Sequence, residues 1–384
     1  MVDIAIIRTN SVLADPRLVK IVRSLSSRYS VLVLGWNREG SKFHGVNQLR
    51  TTSETSVENH DAIFNILKIK APFGKSSLIS YLPLIVYLPI FWVWVFIKLI
   101  IYRPQVVHAC DLDTALPAYI YKLLFQKPMV FEVFDRYAMT FISPKFKMLY
   151  SAINLIEELF SEKSDYLITV GEKLLKTFRR RPKHYAIIMN CPEDYSSYKS
   201  KSEDKDDTLT IVYTGGIKSG RALENITAAI KDLIDVELDI AGPIIDKELL
   251  DRILEIPNVK YRGVLQPHDS IILEASADII IGLYDLEIPE NKFAMPNKLF
   301  EAMMIGIPII TNVASEVIEE IDCGIVLKDI DILQIKTAVI LLRNDRALCR
   351  RLGNNGRLAF LNIYNWAKME KMLYEIYDNL LHKK

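Results

Sequence analysis

Excess charge of either sign is missing from this chain. Its 384 residues hold 48 Lys and Arg against 47 Asp and Glu, a formal net charge of +1. That balance excludes a nucleic-acid binder held by bulk electrostatics. Cysteine is scarce. Cys110, Cys191, Cys323 and Cys349 form no C-x-x-C pair and stand beside no histidine at metal-ligand spacing, so neither a disulfide framework nor a cysteine-based metal site is expected. Four reduced, partly buried thiols fit a cytoplasmic protein. No G-x-G-x-x-G occurs, which weakens a dinucleotide-dependent reading. A signal peptide is not expected either, because Asp3 and Arg8 bound the short apolar run Ile4-Ala5-Ile6-Ile7.

What is present is apolar. Half of the residues are hydrophobic and a quarter charged, which excludes a mainly disordered chain, and the length suits two domains. Short apolar runs alternate with amphipathic stretches. Ile4 to Ile7, a helix pattern from Asp15-Pro16 to Leu25, and Val31 to Gly35 read as β-α-β. Val106 to Ala109, Met129 to Val133 and Tyr166 to Val170 continue the series, each ending in polar or glycine positions. Glu193 to Thr208 is polar and reads as a linker. Alternation restarts with Leu209 to Tyr213, Glu237 to Ala241, Asp278 to Gly282 and Ile307 to Thr311, and Trp366 to Leu380 has helical spacing on one face. The expected fold class is α/β, with doubly wound parallel sheets. The expected divisions are a first domain at 1–192, a linker at 193–208, a second domain at 209–364, and a terminal helix at 365–384 that packs back on the first domain.

Two segments carry the chemistry. Gly215-Gly216-Ile217-Lys218-Ser219-Gly220-Arg221-Ala222 follows a strand and precedes a helix. Glycines there let backbone N–H groups approach a phosphate. A nucleotide-hydrolase loop would need Lys and then Ser or Thr after its last glycine, where Arg221 and Ala222 stand. A plain βα turn needing glycine φ angles fits equally well. The second segment runs from Pro296 to Pro308. Pro296 suits the first position of a helix and Gly306 its end. Asn297, Lys298 and Glu301 then share one side of the first turns. A lysine at a helix N-terminus makes an anion site, and a carboxylate behind it can accept hydrogen bonds from a diol such as ribose. A surface helix with an ordinary Lys-Glu pair is the alternative. His108 and Asp111 end a strand and, in such a fold, face a ligand cleft; a lone histidine there is equally a structural one.

In order and spacing, Tyr213-Thr214-Gly215-Gly216, Gly220-Arg221-Ala222-Leu223-Glu224, Asn258-Val259 with Gly263, Ala277-Asp278-Ile279 and Pro296 to Pro308 resemble the C-terminal half of retaining glycosyltransferases of family four. Asp15-Pro16-Arg17, Val106 to Asp113, the strand leading to Asp135, and Ile188-Met189-Asn190-Cys191-Pro192 resemble its N-terminal half. The resemblance implies a GT-B fold, two Rossmann-like domains facing across a cleft, with the acceptor on the first and a nucleotide-sugar on the second. It implies that the sugar moves with retention to a glycan or lipid-linked acceptor, as in polysaccharide synthesis. No metal and no cofactor are expected. Arg221 takes the diphosphate, as charge-assisted guanidinium contacts favour. The family lysine five positions on is replaced by Ile226, and Lys298 is expected to supply its charge. Glu301 takes the ribose. Donor contacts are expected from Gly215, Gly216, Arg221, Gly263, Val264, Asn297, Lys298, Leu299 and Glu301, and catalytic roles for Arg221, Lys298 and Asp135. The chain departs from the family where a glutamate should precede Glu301 by eight positions: Phe293 stands there, with Glu287 and Glu290 out of register. A second departure puts Phe134 where many members have histidine. A nucleotide-sugar epimerase of the same fold and a non-catalytic nucleotide-sugar-binding subunit are the alternatives.

Leu78 to Ile97 carries no charge and is flanked by Lys75, Lys98 and Arg103. It is long enough to cross a bilayer as a helix. But the strands on either side belong to one sheet, which a single crossing would divide. The expectation is an apolar helix near 78–101, bent by Pro83 and Pro89. It is either buried or lying on the inner face of a membrane, where it would make a peripheral contact.

Overall fold

The computed structural model describes residues 2–9, 15–36, 62–69, 82–143, 145–195 and 208–382. Lys75, the start of the apolar run, and most of the expected 193–208 linker lie outside them. The chain forms two compact units, Met1–Ile188 with Glu370–Lys384, and Met189–Met369.

The first unit is built on a parallel sheet. Its described strands are β1 (Ile4–Arg8), β2 (Val31–Trp36), β3 (Ile63–Leu67), β4 (Val106–Cys110), β5 (Met129–Val133), β6 (Tyr166–Thr169) and β7 (Tyr185–Ile187), in the order β3-β2-β1-β4-β5-β6-β7. β1, β2, β4 and β5 are almost wholly buried. That is why they read as mainly apolar runs, with His108 and Glu132 as the exceptions, since helices cover both faces of such a sheet. The helix Pro16–Ser26 starts at Asp15, whose carboxylate accepts from the N–H groups of Arg17 and Leu18, with Pro16 at the first helical position. It buries Leu18, Ile21, Val22 and Leu25. The second unit repeats the plan with β8 (Leu209–Thr214), β9 (Val236–Ala241), β10 (Val259–Tyr261), β11 (Ile279–Gly282), β12 (Ile309–Thr311) and β13 (Gly324–Val326), in the order β10-β9-β8-β11-β12-β13. In each sheet the chain winds both ways from adjacent strands, β1 and β4, then β8 and β11. Ligands bind beyond the carboxyl ends of such strands.

Three expectations change. The unit boundary falls at Ile188/Met189, ahead of Glu193. The reason is that the next residues are fastened to the second unit. Trp366 N–H donates to the Pro192 carbonyl at 2.9 Å, and Arg357 grips the Asp194 carboxylate with two bonds of 3.0 Å. The apolar helix, Leu82–Tyr102, runs unbroken through Pro89. It buries Phe91, Val95 and Leu99 on one face and exposes Val86, Val93, Ile97 and Ile101 on the other, so it is not a fully packed core helix. Trp36 stacks on Phe91 and Trp92 Nε1 donates to the Asp113 carbonyl. These contacts offset the backbone bond that Pro89 cannot make. Among the described residues no helix is long and apolar enough to cross a membrane. Finally, Pro296 caps the helix Asn297–Ile305 in extended conformation instead of opening it.

The last helix, Trp366–Leu381, begins in the second unit and ends in the first. There Tyr374 OH donates to the Ser24 carbonyl, Tyr29 OH donates to Asp378, and the Arg28 guanidinium lies 3.6 Å from the Tyr374 ring centre.

Candidate functional site

In the second unit the ends of β8 and β11 and the helix Asn297–Ile305 gather the polar groups. After β8 the backbone turns sharply at Gly215. A Cβ on Gly242 would sit 2.0 Å from the Gly215 carbonyl oxygen, so only glycine allows β9 to approach this turn. Gly220 (φ +81) and Ala222 (φ +50) bracket Arg221 in left-handed conformations. Ala222 pays steric strain for it, and Arg221 is thereby turned back over the sheet end. Its guanidinium lies 4.4 Å from the Tyr284 ring centre. Its Nη1 is buried without a hydrogen-bond partner among the described residues. Tyr284 itself follows β11 and is fixed by Asn312. Tyr284 N–H donates to Asn312 Oδ1 at 2.9 Å, and Asn312 Nδ2 donates to the Tyr284 carbonyl at 2.7 Å.

The Lys298 ammonium lies between two carboxylates, 2.9 Å from Glu274 Oε1 and 2.5 Å from Glu301 Oε2. Thr214 Oγ1 also donates to Glu274 Oε1. Burial alone would lower the Lys298 pKa, but Glu301 and Glu274 outweigh it and hold the ammonium charged. Glu274 is fully buried. Burial and then the neighbouring Glu301 push its carboxyl up to about 7, against the pull of Lys298. Burial raises the Tyr284 phenol, which Arg221 and Lys298 oppose.

The expected donor residues are thus partly gathered. Gly215, Gly216, Arg221, Lys298 and Glu301 lie around the β8 end. Lys298 is not a free cation, since both of its carboxylate partners are in place. Leu299 is buried and its N–H donates to the Pro296 carbonyl at 3.1 Å, so it offers a ligand nothing. Asn297 accepts from Asn190 Nδ2 at 2.9 Å. Gly263 takes a left-handed φ of +85, its carbonyl accepts from Gly242 N–H, and Val264 is exposed. Phe293 closes a 3-10 turn, Pro289–Phe293. Glu274, Tyr284 and Asn312 escaped the sequence reading. Glu274 sits in the apolar helical stretch Ile271-Ile272-Leu273, where only its charge was a signal, and a lone helix carboxylate is ordinarily solvated.

Asp135 belongs to the first unit, where it is exposed after β5. His108 corrects an expectation, because it is fully buried and does not face a ligand site. Its Nδ1 lies 2.6 Å from Tyr377 OH and its Nε2 2.9 Å from Glu132 Oε2. Arg17 Nε donates to Glu132 Oε1 at 2.9 Å. Among the described residues His108, Cys110 and Glu132 form one trio at metal-ligand spacing, contrary to the expectation that no cysteine meets a histidine in that way. Arg17 and Tyr377 already occupy it, which makes it an internal ion network. Asp111, directly after β4, is instead paired with Arg8, which lies 4.3 Å from the Phe134 ring centre.

With this geometry in place, comparison with known proteins shows what the chain resembles. Residues 208–345 match the family of glycosyl transferases group 1. That group 1 match spans the whole sheet of the second unit. An uncharacterised glycosyltransferase of Methanocaldococcus jannaschii is 24% identical over 296 residues, 70% of this chain and 73% of its own length. Among solved structures, sucrose-phosphate synthase of Thermosynechococcus elongatus aligns with a TM-score of 0.74 at 14% identity, covering 100% of both chains. HepE of Anabaena, solved with UDP, aligns at 0.73 and 12%, covering 98% of this chain and 100% of its own. A further HepE structure holds UDP-glucose, at 0.70 and 13%, with 98% and 99% covered. The fold is GT-B, and the group 1 match places its glycosyltransferase signature on the unit that carries Arg221, Lys298 and Glu301.

Proposed function

We propose that this protein transfers a sugar, with retention, from a nucleotide-sugar to a glycan or lipid-linked acceptor, as a hexosyltransferase of family four. One observation carries the reading: a buried Arg221 nitrogen with no hydrogen-bond partner among the described residues stands over Tyr284 at the switch point of the second sheet, beside Lys298 and Glu301. Such a guanidinium suits a diphosphate. The HepE structures with UDP and UDP-glucose support a donor of this class. Arg221, aided by Lys298, stabilises charge developing on the leaving diphosphate in a site arranged beforehand. Glu301 orients the ribose. Asp135 is assigned to the acceptor side, and the residues assigned here need neither metal nor cofactor.

A thermal-shift screen of nucleoside diphosphates and their sugars tests donor binding, because a ligand that binds only the folded state raises its stability. Labelled transfer to a lipid extract then separates transferase from epimerase and from a non-catalytic subunit. Glu301→Ala should weaken UDP-glucose binding tenfold or more, from the loss of at least one charge-assisted hydrogen bond of about 1.5–3 kcal/mol. Unchanged affinity by calorimetry would remove Glu301 from the ribose.

We further place the first unit at an anionic membrane surface on the inner face. The helix Leu82–Tyr102 packs beside Leu112–Phe125, which packs beside Lys147–Lys163. Together they expose Val93, Ile97, Leu123, Leu124, Leu155 and Met148, the last 90% accessible. Single exposed apolar residues are ordinary, but so many on three neighbouring helices support an apolar contact with lipid. Lys98, Arg103 and Lys147 supply the positive charge that meets acidic headgroups, each worth about 1 kcal/mol near the surface. The protein should float with vesicles containing phosphatidylglycerol and be released by high salt, which shortens the Debye length to about 3 Å at 1 M. Failure to float with any lipid composition would exclude the contact.

A further inference from the structure

We propose that Glu274 is a positioning residue of this site, one that acts through Lys298 and takes up a proton when the donor diphosphate binds. The inference rests on the donor reading above and goes beyond it.

Glu274 is carried by the helix Pro267–Ala275, which packs against β8 and the helix Asn297–Ile305. Its side chain has no contact with solvent. One oxygen, Oε1, accepts from Thr214 Oγ1 and from Lys298 Nζ, while Oε2 is buried with no hydrogen-bond partner among the described residues. The groups facing it are the Thr214 hydroxyl from β8, and Lys298 and Glu301 from the helix Asn297–Ile305. Tyr213, Tyr284 and Arg221 interact with Lys298 or with one another just beyond. A single ammonium therefore compensates two carboxylates, one of them completely dry.

A diphosphate placed against Arg221 and Lys298 competes for that ammonium and brings negative charge of its own. Glu301 keeps access to solvent, but Glu274 has none. Its orphaned oxygen has no donor among the described residues to fall back on, and a buried carboxylate short of compensation is neutralised. The balance is simple: one proton passes from solvent to the Glu274 carboxylate, and no other bond changes. Neutral Glu274 still accepts from Lys298 through its carbonyl oxygen. The ammonium is thus held at its place while its charge is turned to the diphosphate. Because burial and Glu301 already bring Glu274 to about 7 in the donor-free site, the uptake falls in an accessible range.

The sign follows from linkage. Binding favours the protonated form, so affinity is highest below the donor-free pKa. Affinity then falls as pH rises through about 7 toward the higher value of the complex, by up to about tenfold per pH unit. Calorimetric titration of the full chain with UDP-glucose, whose diphosphate has no group titrating near neutrality, measures this directly. At pH 7.5 to 8 the binding enthalpy should depend on the ionisation enthalpy of the buffer, showing uptake of up to about one proton. Glu274→Gln should bind UDP-glucose without buffer dependence and with a flat pH profile. Thr214→Val, which keeps the carboxyl but removes a donor to it, should shift the decline to higher pH. Binding by the wild-type protein without proton uptake, or uptake that persists in Glu274→Gln, overturns the proposal. The wild-type measurement decides it even if a variant fails to fold. Absence of UDP-glucose binding from pH 6 to 8 overturns the donor reading itself and this inference with it.

Discussion

Replacing Arg221 by alanine should lower the rate of sugar transfer by about 10²–10³-fold, the scale of removing one preorganised donor from a developing anion. Thermal stability should stay nearly unchanged. The residue's buried Nη1 has no hydrogen-bond partner among the described residues, and its stacking on Tyr284 is one contact. An activity loss matched by an equal loss of stability would mark Arg221 as a packing residue. The Lys298→Ala variant and the double variant extend the measurement. If both cations serve one diphosphate, a double-mutant cycle should show coupling of about 0.5–3 kcal/mol. Strict additivity would refute the sharing. Lys298→Ala should also disturb the fold locally, because it leaves two carboxylates, one fully buried, without their common partner.

The largest effect on stability should come from the first unit, at Arg17. Its guanidinium is paired with Glu132, and both side chains are buried, at 6% and 0% exposure. Arg17→Met keeps the apolar stem but removes the guanidinium from the buried Glu132, leaving it the contact with His108 Nε2. Breaking one side of a buried pair costs about 3–5 kcal/mol, which urea unfolding should resolve at pH 7. The pH dependence distinguishes the ion pair from simple packing. Burial raises the Glu132 pKa, but Arg17 and His108 outweigh it and hold the carboxyl at about 2. Its folded pKa therefore lies below the unfolded value near 4.5. The pair's contribution is fully present above that value and is lost as pH falls from there through about 2. The wild-type protein should lose this increment on acidification, and Arg17→Met should not. Equal acid sensitivity in both would show that Glu132 draws its stabilisation elsewhere.

The sequence alone determined the doubly wound plan. Strands buried on both faces must be mainly apolar, and β1, β2, β4, β5, β8 and β11 stand out for that reason. The helix start at Asp15-Pro16 and the helix end at Gly306 were legible as well, because each rests on bonds within a few residues. The edge strands β7, β10 and β13 were not legible. They have three residues each, and a strand so short is set by its neighbour in the sheet rather than by its own pattern. At the site Arg221 was expected from the family resemblance, and Lys298 and Glu301 from that resemblance together with a helix start. Only the tertiary structure decided what those groups meet. Glu274 lies 24 positions from Lys298, and Tyr284 28 from the Asn312 that fixes it. His108 finds its partner Tyr377 at a separation of 269. Charge compensation and desolvation act through space. Whether a carboxylate is solvated or dry, or a histidine faces a ligand or an ion network, follows from which distant side chain the fold brings against it.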